Sequence, residues 1–131
     1  MGTNHHAEYL ANQILSATPG QLIVMAYDGA LRFARVALES IKKGDIQAQS
    51  QNILRSQGIV LHLLSSLDSS VDPKFSHDLS RIYIYIHGRL TDANVNSDPE
   101  ALEECINLLS ELREAWAEAE NNQRMPMEEA A

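Results

Sequence analysis

The stretch from Thr18 to Ile41, TPGQLIVMAYDGALRFARVALESI, constrains the fold more than any other part of the chain. It opens as a helix does. Thr18 is a capping residue, and Pro19 suits the first helical position, where its missing N–H is not needed. Gln21 stands where a capping box requires an amide to reach back. Apolar residues then recur at helical spacing: Ile23, Ala26, Tyr27, Ala30, Ala34, Ala37 and Ile41. Such a helix draws its stability from burying that face against other elements. A second strip, Leu22, Met25, Gly29, Phe33 and Val36, flanks the first at spacings of three and four. Together they form an apolar sector roughly twice the ~100° that a bundle helix needs. Surplus apolar surface on an acidic chain points to a further cover.

Capping and breaking signals divide the rest into three more helices. Lys42-Lys43 suits the negative end of the macrodipole and Gly44 can take positive φ, so the first helix spans Pro19 to Lys43. Asp45 caps a second helix, Ile46 to about Leu67. The cluster from Leu67 to Pro73 reads as a loop. A third helix runs from about Lys74 to Val95. Asn96-Ser97-Asp98-Pro99 ends it and starts the fourth, with Asp98 as cap, running to about Glu120. Ile82-Tyr83-Ile84-Tyr85-Ile86 has strand composition when taken alone. Phe75, Leu79, Ile82, Tyr83, Ile86, Leu90 and Ala93 nevertheless follow a helical period, which favours helix. The core stripe of the second helix reads as Ile46, Ile53, Leu54, Val60, Leu61 and Leu64. That of the fourth reads as Leu102, Cys105, Ile106, Leu109, Leu112 and Trp116.

Short connections between long helices favour antiparallel neighbours. The expected fold class is therefore all-α: an antiparallel four-helix bundle over 18–120, with an N-terminal arm or short helix at 1–17. Residues 121–131 are expected to be a flexible acidic tail.

At 131 residues the chain fits one domain with a real core. Its net charge of −8 argues against nucleic acid, which needs a basic stripe, and against an anionic membrane surface. No apolar run is long enough to span a bilayer, and the N-terminus lacks the features of a signal peptide. Cys105 is the single cysteine, which excludes an internal disulfide, and the cytoplasm is the expected location.

Apolar residues outside the stripes recur beyond the first helix. Ile84, Gly88 and Val95 lie opposite the core face of the third helix, with Tyr85 to one side. Ile59 and Leu63 fall off the stripe of the second. Gly29, Gly58 and Gly88 stand inside helices, where each costs about 1 kcal/mol relative to alanine and permits close approach of another helix. Taken singly, these residues are accounted for by a broad core, an N-terminal arm or a homodimer face. Taken as a set, they read better as a groove for an apolar or amphipathic helix.

The chemistry of an enzyme is missing. There is no Glu-x-x-His pair, no glycine-rich phosphate loop and no set of nucleophile, base and orienter. His5-His6 reads as solvated tail, so neither metal nor cofactor is expected. Cys105 reads as a small buried residue. The carboxylates of the fourth helix read as a solvated face. A scaffolding bundle closed as a homodimer, or a phosphotransfer domain acting through His62 or His87, stands as the alternative to a binding groove.

Three segments carry a resemblance: ATPGQLIVMAYDGALRF from Ala17, LSRIYIYIHGRLTDANVNSD from Leu79 and LEECINLLSELREAW from Leu102. In order, spacing and total length they resemble the flagellar export chaperones of the FliS family, over about Tyr9 to Ala117. The chain departs from the family at Ala26, where a larger residue is usual. It departs again at His87-Gly88, where an arginine or lysine is frequent. The resemblance implies a cytoplasmic helical bundle, not an enzyme, that binds the C-terminal segment of flagellin. It would prevent premature polymerisation and assist delivery to the flagellar type III export apparatus.

The resemblance also implies a tyrosine-bearing arm that covers part of the empty client site, here Tyr9 with Leu10 and Ile14 beside it. Tyr27, Asp28 and Gly29 match a family motif, with Tyr27 on the core side. Tyr83, Tyr85, Arg89, Leu90 and Asn94 match another. Of these, Tyr85 and Arg89 are the surface candidates, Arg89 holding either a client carboxylate or a neighbouring acid. The candidate client contacts are therefore Tyr9, Leu10, Ile14, Leu22, Met25, Asp28, Gly29, Phe33, Ile84, Tyr85, Gly88, Arg89 and Asn94.

Overall fold

The computed structural model describes residues 4–130. Residues 1–3 and 131 of the expected arm and tail lie outside the described residues, as do the side chains of Asn4, His6 and 123–130. Five helices make up the described chain, with no strand among the described residues: α1 (Asn4–Ser16), α2 (Pro19–Lys43), α3 (Ile46–Ser65), α4 (Pro73–Asn96) and α5 (Pro99–Ala130).

The caps explain the boundaries. Gln21 N–H donates to Thr18 Oγ1 at 3.2 Å while Gln21 Oε1 accepts from Thr18 N–H at 2.9 Å, a complete capping box. Gly44 ends α2 with φ 72°, a left-handed conformation that glycine adopts without a Cβ clash. Asp45, Asp72 and Asp98 each accept from a backbone N–H in the first turn of the helix that follows. The IYIYI segment is helical, as its wider period indicates. Helix α5 runs past the expected end near Glu120, because no glycine or proline stands between Pro99 and Met125 to stop it.

Helix α2 packs against α3 and α5, and α4 packs against the same two. Helix α1 is not among these packed pairs. Cross-links set the directions. Gln49 and Gln57 of α3 reach Asn94 and His87 of α4, and Asp28 and Thr18 of α2 meet Arg113 and Glu120 of α5. Rising numbers on one helix meet falling numbers on the next, so these neighbours run in opposite senses.

The core holds Ile53, Val60, Leu79, Ile86, Leu90, Leu102 and Leu109 around the alanine ridge Ala30, Ala34 and Ala37 of α2. Small side chains on that ridge let α2 lie close to both neighbours. Tyr27 and Tyr83 are fully buried and hydrogen-bond to one another through their hydroxyls. Burial of the phenols raises the pKa of both.

The buried face of α3 differs from the expected one. Ile46, Leu54 and Leu61 are exposed, whereas Gln49, Ser56, Gln57 and Leu63 are buried with Ile53 and Val60. Each buried polar group has a partner that a sequence pattern cannot display. Ser56 Oγ donates to the Ala30 carbonyl at 2.9 Å. Gln49 Nε2 donates to the Asn94 carbonyl at 3.0 Å. These hydrogen bonds offset the cost of desolvating the polar groups at core positions, and the helix is rotated to expose two leucines. On α4, Phe75 and Ile82 are also more exposed than their place on the stripe implies, since both sit at its edge toward α5.

Candidate functional site

Gln57 sets the register between α3 and α4, donating to the His87 carbonyl at 3.0 Å and to Thr91 Oγ1 at 2.8 Å. With the helices running in opposite senses, Gly58 comes level with Gly88 and Leu61 with Ile84. Leu54 lies toward Thr91 and Val95. All seven are exposed, with Leu54 61%, Ile84 59% and Val95 77% accessible. A Cβ built on Gly58 or Gly88 would meet nothing within 4 Å. Neither glycine is therefore needed for packing inside the molecule, yet each costs its helix about 1 kcal/mol. The outer α3–α4 face is a shallow surface, low at its middle and flanked by large aliphatic side chains.

The second strip on α2 turns toward α3. A Cβ on Gly29 would lie 3.2 Å from Ile59 Cδ1, so this glycine accommodates a neighbour within the fold. Phe33 is half-buried, with the guanidinium carbons of Arg32 and Arg55 at 5.1 and 5.6 Å from its ring centre. Leu22 and Val36 are exposed. Met25 is half-buried and lines, with Asp28, Gln13 and Glu120, an open cleft of about 590 Å³ where α1, α2 and α5 meet.

The remaining candidates lie elsewhere. Tyr85 and Arg89 face α5, where both donate to Glu104 Oε1, at 2.7 and 2.8 Å; Arg89 also reaches Asp92 at 3.3 Å. Arg89 thus holds neighbouring acids. These bonds keep the Glu104 carboxyl below its ordinary range and raise the Tyr85 phenol. Asp28 pairs with Arg113 at 2.9 Å and ties α2 to α5. Asn94 accepts from Gln49 and Ser50 in the α3–α4 seam. Tyr9, Leu10 and Ile14 are exposed on α1. The candidates are thus brought together as two surfaces, α3–α4 and the α2 strip, the latter bordering at Met25 a cleft that α1 also lines, with the α4–α5 polar cluster apart from both.

Sequence reasoning missed Leu54 and Leu61 as surface residues. The signal was present. Leu54, Gly58 and Leu61 repeat the pattern of Ile84, Gly88 and Val95, two aliphatic residues at helical spacing around a glycine.

Other chemistry is weakly represented. Among the described residues no group of three His, Cys, Asp or Glu is placed to hold a metal ion. Cys105 is buried, directs its thiol to the Ile86 carbonyl, and has its pKa pushed up to about 12 by burial. A thiol held protonated is a poor nucleophile. Among the described residues no helix is long and apolar enough to cross a membrane.

The family described as Flagellar protein FliS matches residues 2–123. The chain belongs to the FliS family. FliS-family relatives include the Flagellar secretion chaperone FliS of Bacillus subtilis, 31% identical over 92% of this chain and 90% of that protein. The protein of that name from Campylobacter jejuni is 33% identical over 88% of this chain and 90% of its own length. That of Salmonella typhimurium is 37% identical over 79% of this chain and 77% of its own. In this FliS-family chain the motif Tyr27-Asp28-Gly29 serves three ends: a buried hydroxyl bond, an ion pair to α5 and a close approach by α3.

Proposed function

We propose that this chain is a cytoplasmic flagellar secretion chaperone and not an enzyme. It binds the C-terminal amphipathic segment of flagellin, keeps it from polymerising early and assists its delivery to the flagellar type III export apparatus. Helices α2–α5 act as an antiparallel four-helix bundle, residues 1–17 as a displaceable arm, and 121–131 as an acidic tail. Family membership and relatives named as secretion chaperones support the reading.

The observation that carries it is the level pair Gly58 and Gly88 on an exposed aliphatic face. Two helical glycines with open space above them fit a partner helix that comes close to the backbone. Covering one large aliphatic side chain contributes about 1–2 kcal/mol before the ordering of the client is subtracted. Ile84 and Gly88 contribute to this contact, joined by Leu54, Leu61 and Val95. Leu22, Met25, Gly29 and Phe33 extend it onto the α2–α3 face, and Tyr9, Leu10 and Ile14 compete for it. Asp28, Tyr85, Arg89 and Asn94 act through the ion pairs and hydrogen bonds that hold the helices in register.

Calorimetry with an isolated flagellin C-terminal peptide tests the proposal. Binding with a gain of peptide helicity is expected, weakened at least tenfold by Ile84→Glu with the chain's own helicity unchanged. No binding at mid-micromolar concentration would remove flagellin as the client. A dimer that survives dilution and ignores the peptide would favour a scaffolding role.

A further inference from the structure

Two unpaired arginines, one from α2 and one from α3, meet at Phe33. Arg32 and Arg55 reach over the Phe33 ring from different helices, and neither forms an ion pair among the described residues. Helix α3 carries no Asp or Glu. The acids of α2 are engaged elsewhere, Asp28 by Arg113 and Glu39 by Lys42 at 3.7 Å. Around the two arginines Leu22, Met25, Gly29, Phe33 and Val36 continue at spacings of three and four. An apolar stripe with two unpaired guanidinium groups at its central ring favours an acidic partner at that face over a basic one. Two arginines are too few for nucleic acid or a membrane, which the rest of the molecule would repel.

We infer that the α2–α3 face docks an acidic amphipathic helical segment. Its apolar side chains meet Met25, Phe33 and Val36, and its flanking carboxylates meet Arg32 and Arg55. Guanidinium suits this task, because its fork binds a carboxylate through two parallel hydrogen bonds. The inference rests on the reading of the Leu22-to-Phe33 strip as a contact surface, and adds the charge of what it contacts.

Two labelled synthetic helices test it on the full chain by fluorescence anisotropy. One has leucines along one face flanked by glutamates; the other has glutamine at every glutamate. At about 0.05 M salt the acidic peptide is expected to bind about tenfold tighter, an advantage that disappears at about 0.5 M salt. It also disappears in the Arg32→Gln/Arg55→Gln variant, whose exposed substitutions leave the circular dichroism unchanged. Equal binding of the two peptides, lost in Val36→Glu, keeps the face as a contact surface and overturns its acidic preference. Binding that neither the double variant nor Val36→Glu alters overturns the reading of the face itself. Displacement of the acidic peptide by anionic vesicles or by a DNA oligonucleotide overturns the choice of partner.

Discussion

Gly58 and Gly88 show what a single side chain contributes to this surface by being absent. Nothing in the molecule fills the space above either. Gly58→Ala and Gly88→Ala are each expected to stabilise the free chain by about 0.5–1 kcal/mol in urea denaturation, because alanine restricts the unfolded chain and suits a helix. The same changes should weaken binding of the flagellin peptide, since a methyl group raises the floor of the contact. Gly29→Ala is expected to give a smaller gain or none, because Ile59 must yield first. In the interior, Tyr27 and Tyr83 satisfy one another's hydroxyls. Tyr27→Phe alone leaves the Tyr83 hydroxyl buried without its partner, at a cost of about 1–3 kcal/mol. Tyr27→Phe with Tyr83→Phe removes both groups, and the cycle should show a coupling energy that recovers much of that loss. Simple addition of the two single effects would refute a shared bond.

At the scale of the element, α4 and α5 are tied through Glu104, which accepts from Tyr85 and Arg89. Those bonds hold its pKa below the unfolded value. Between the two values the unfolded chain binds more protons, so stability rises with pH across that window. The contribution is complete above the ordinary carboxylate range and is lost as pH falls through the folded value. Glu104→Gln should therefore flatten the acid limb of a pH–stability profile, and an unchanged limb would show that the cluster is screened by solvent. The helix ends were legible because caps are local. Thr18, Gln21, Gly44, Asp45 and Asp98 act within a few residues of themselves. The buried face of α3 was not legible, because Gln49, Ser56 and Gln57 become core residues only through partners on α2 and α4. That rotation hid Leu54 and Leu61 among expected core residues, so the aliphatic side chains that α3 gives to the candidate surface were read as interior. The strip on α2 was found, but Ile59 and Arg55 cover part of it.

For the molecule as a whole, packing and binding are divided between two sets of faces. Alanines on α2 and larger apolar groups on its neighbours close the interior, while aliphatic side chains that a core would have used remain outside. Helix α1 carries its own exposed Tyr9, Leu10, Ile14 and Leu15. The arm and the bundle thus both carry apolar side chains that the fold leaves uncovered. Charge is divided too. Glu100, Glu103, Glu111, Glu114 and Glu118 are exposed along α5, whereas Arg32 and Arg55 converge on Phe33 at the α2–α3 seam. The proposed client surface is the outer α3–α4 face. It is tested most directly by methyl nuclear magnetic resonance of the chain titrated with the flagellin C-terminal peptide. Saturable shifts are expected at the Leu54, Leu61, Ile84 and Val95 methyls, lost in Ile84→Glu. Saturable binding that leaves those four methyls unmoved would contradict it.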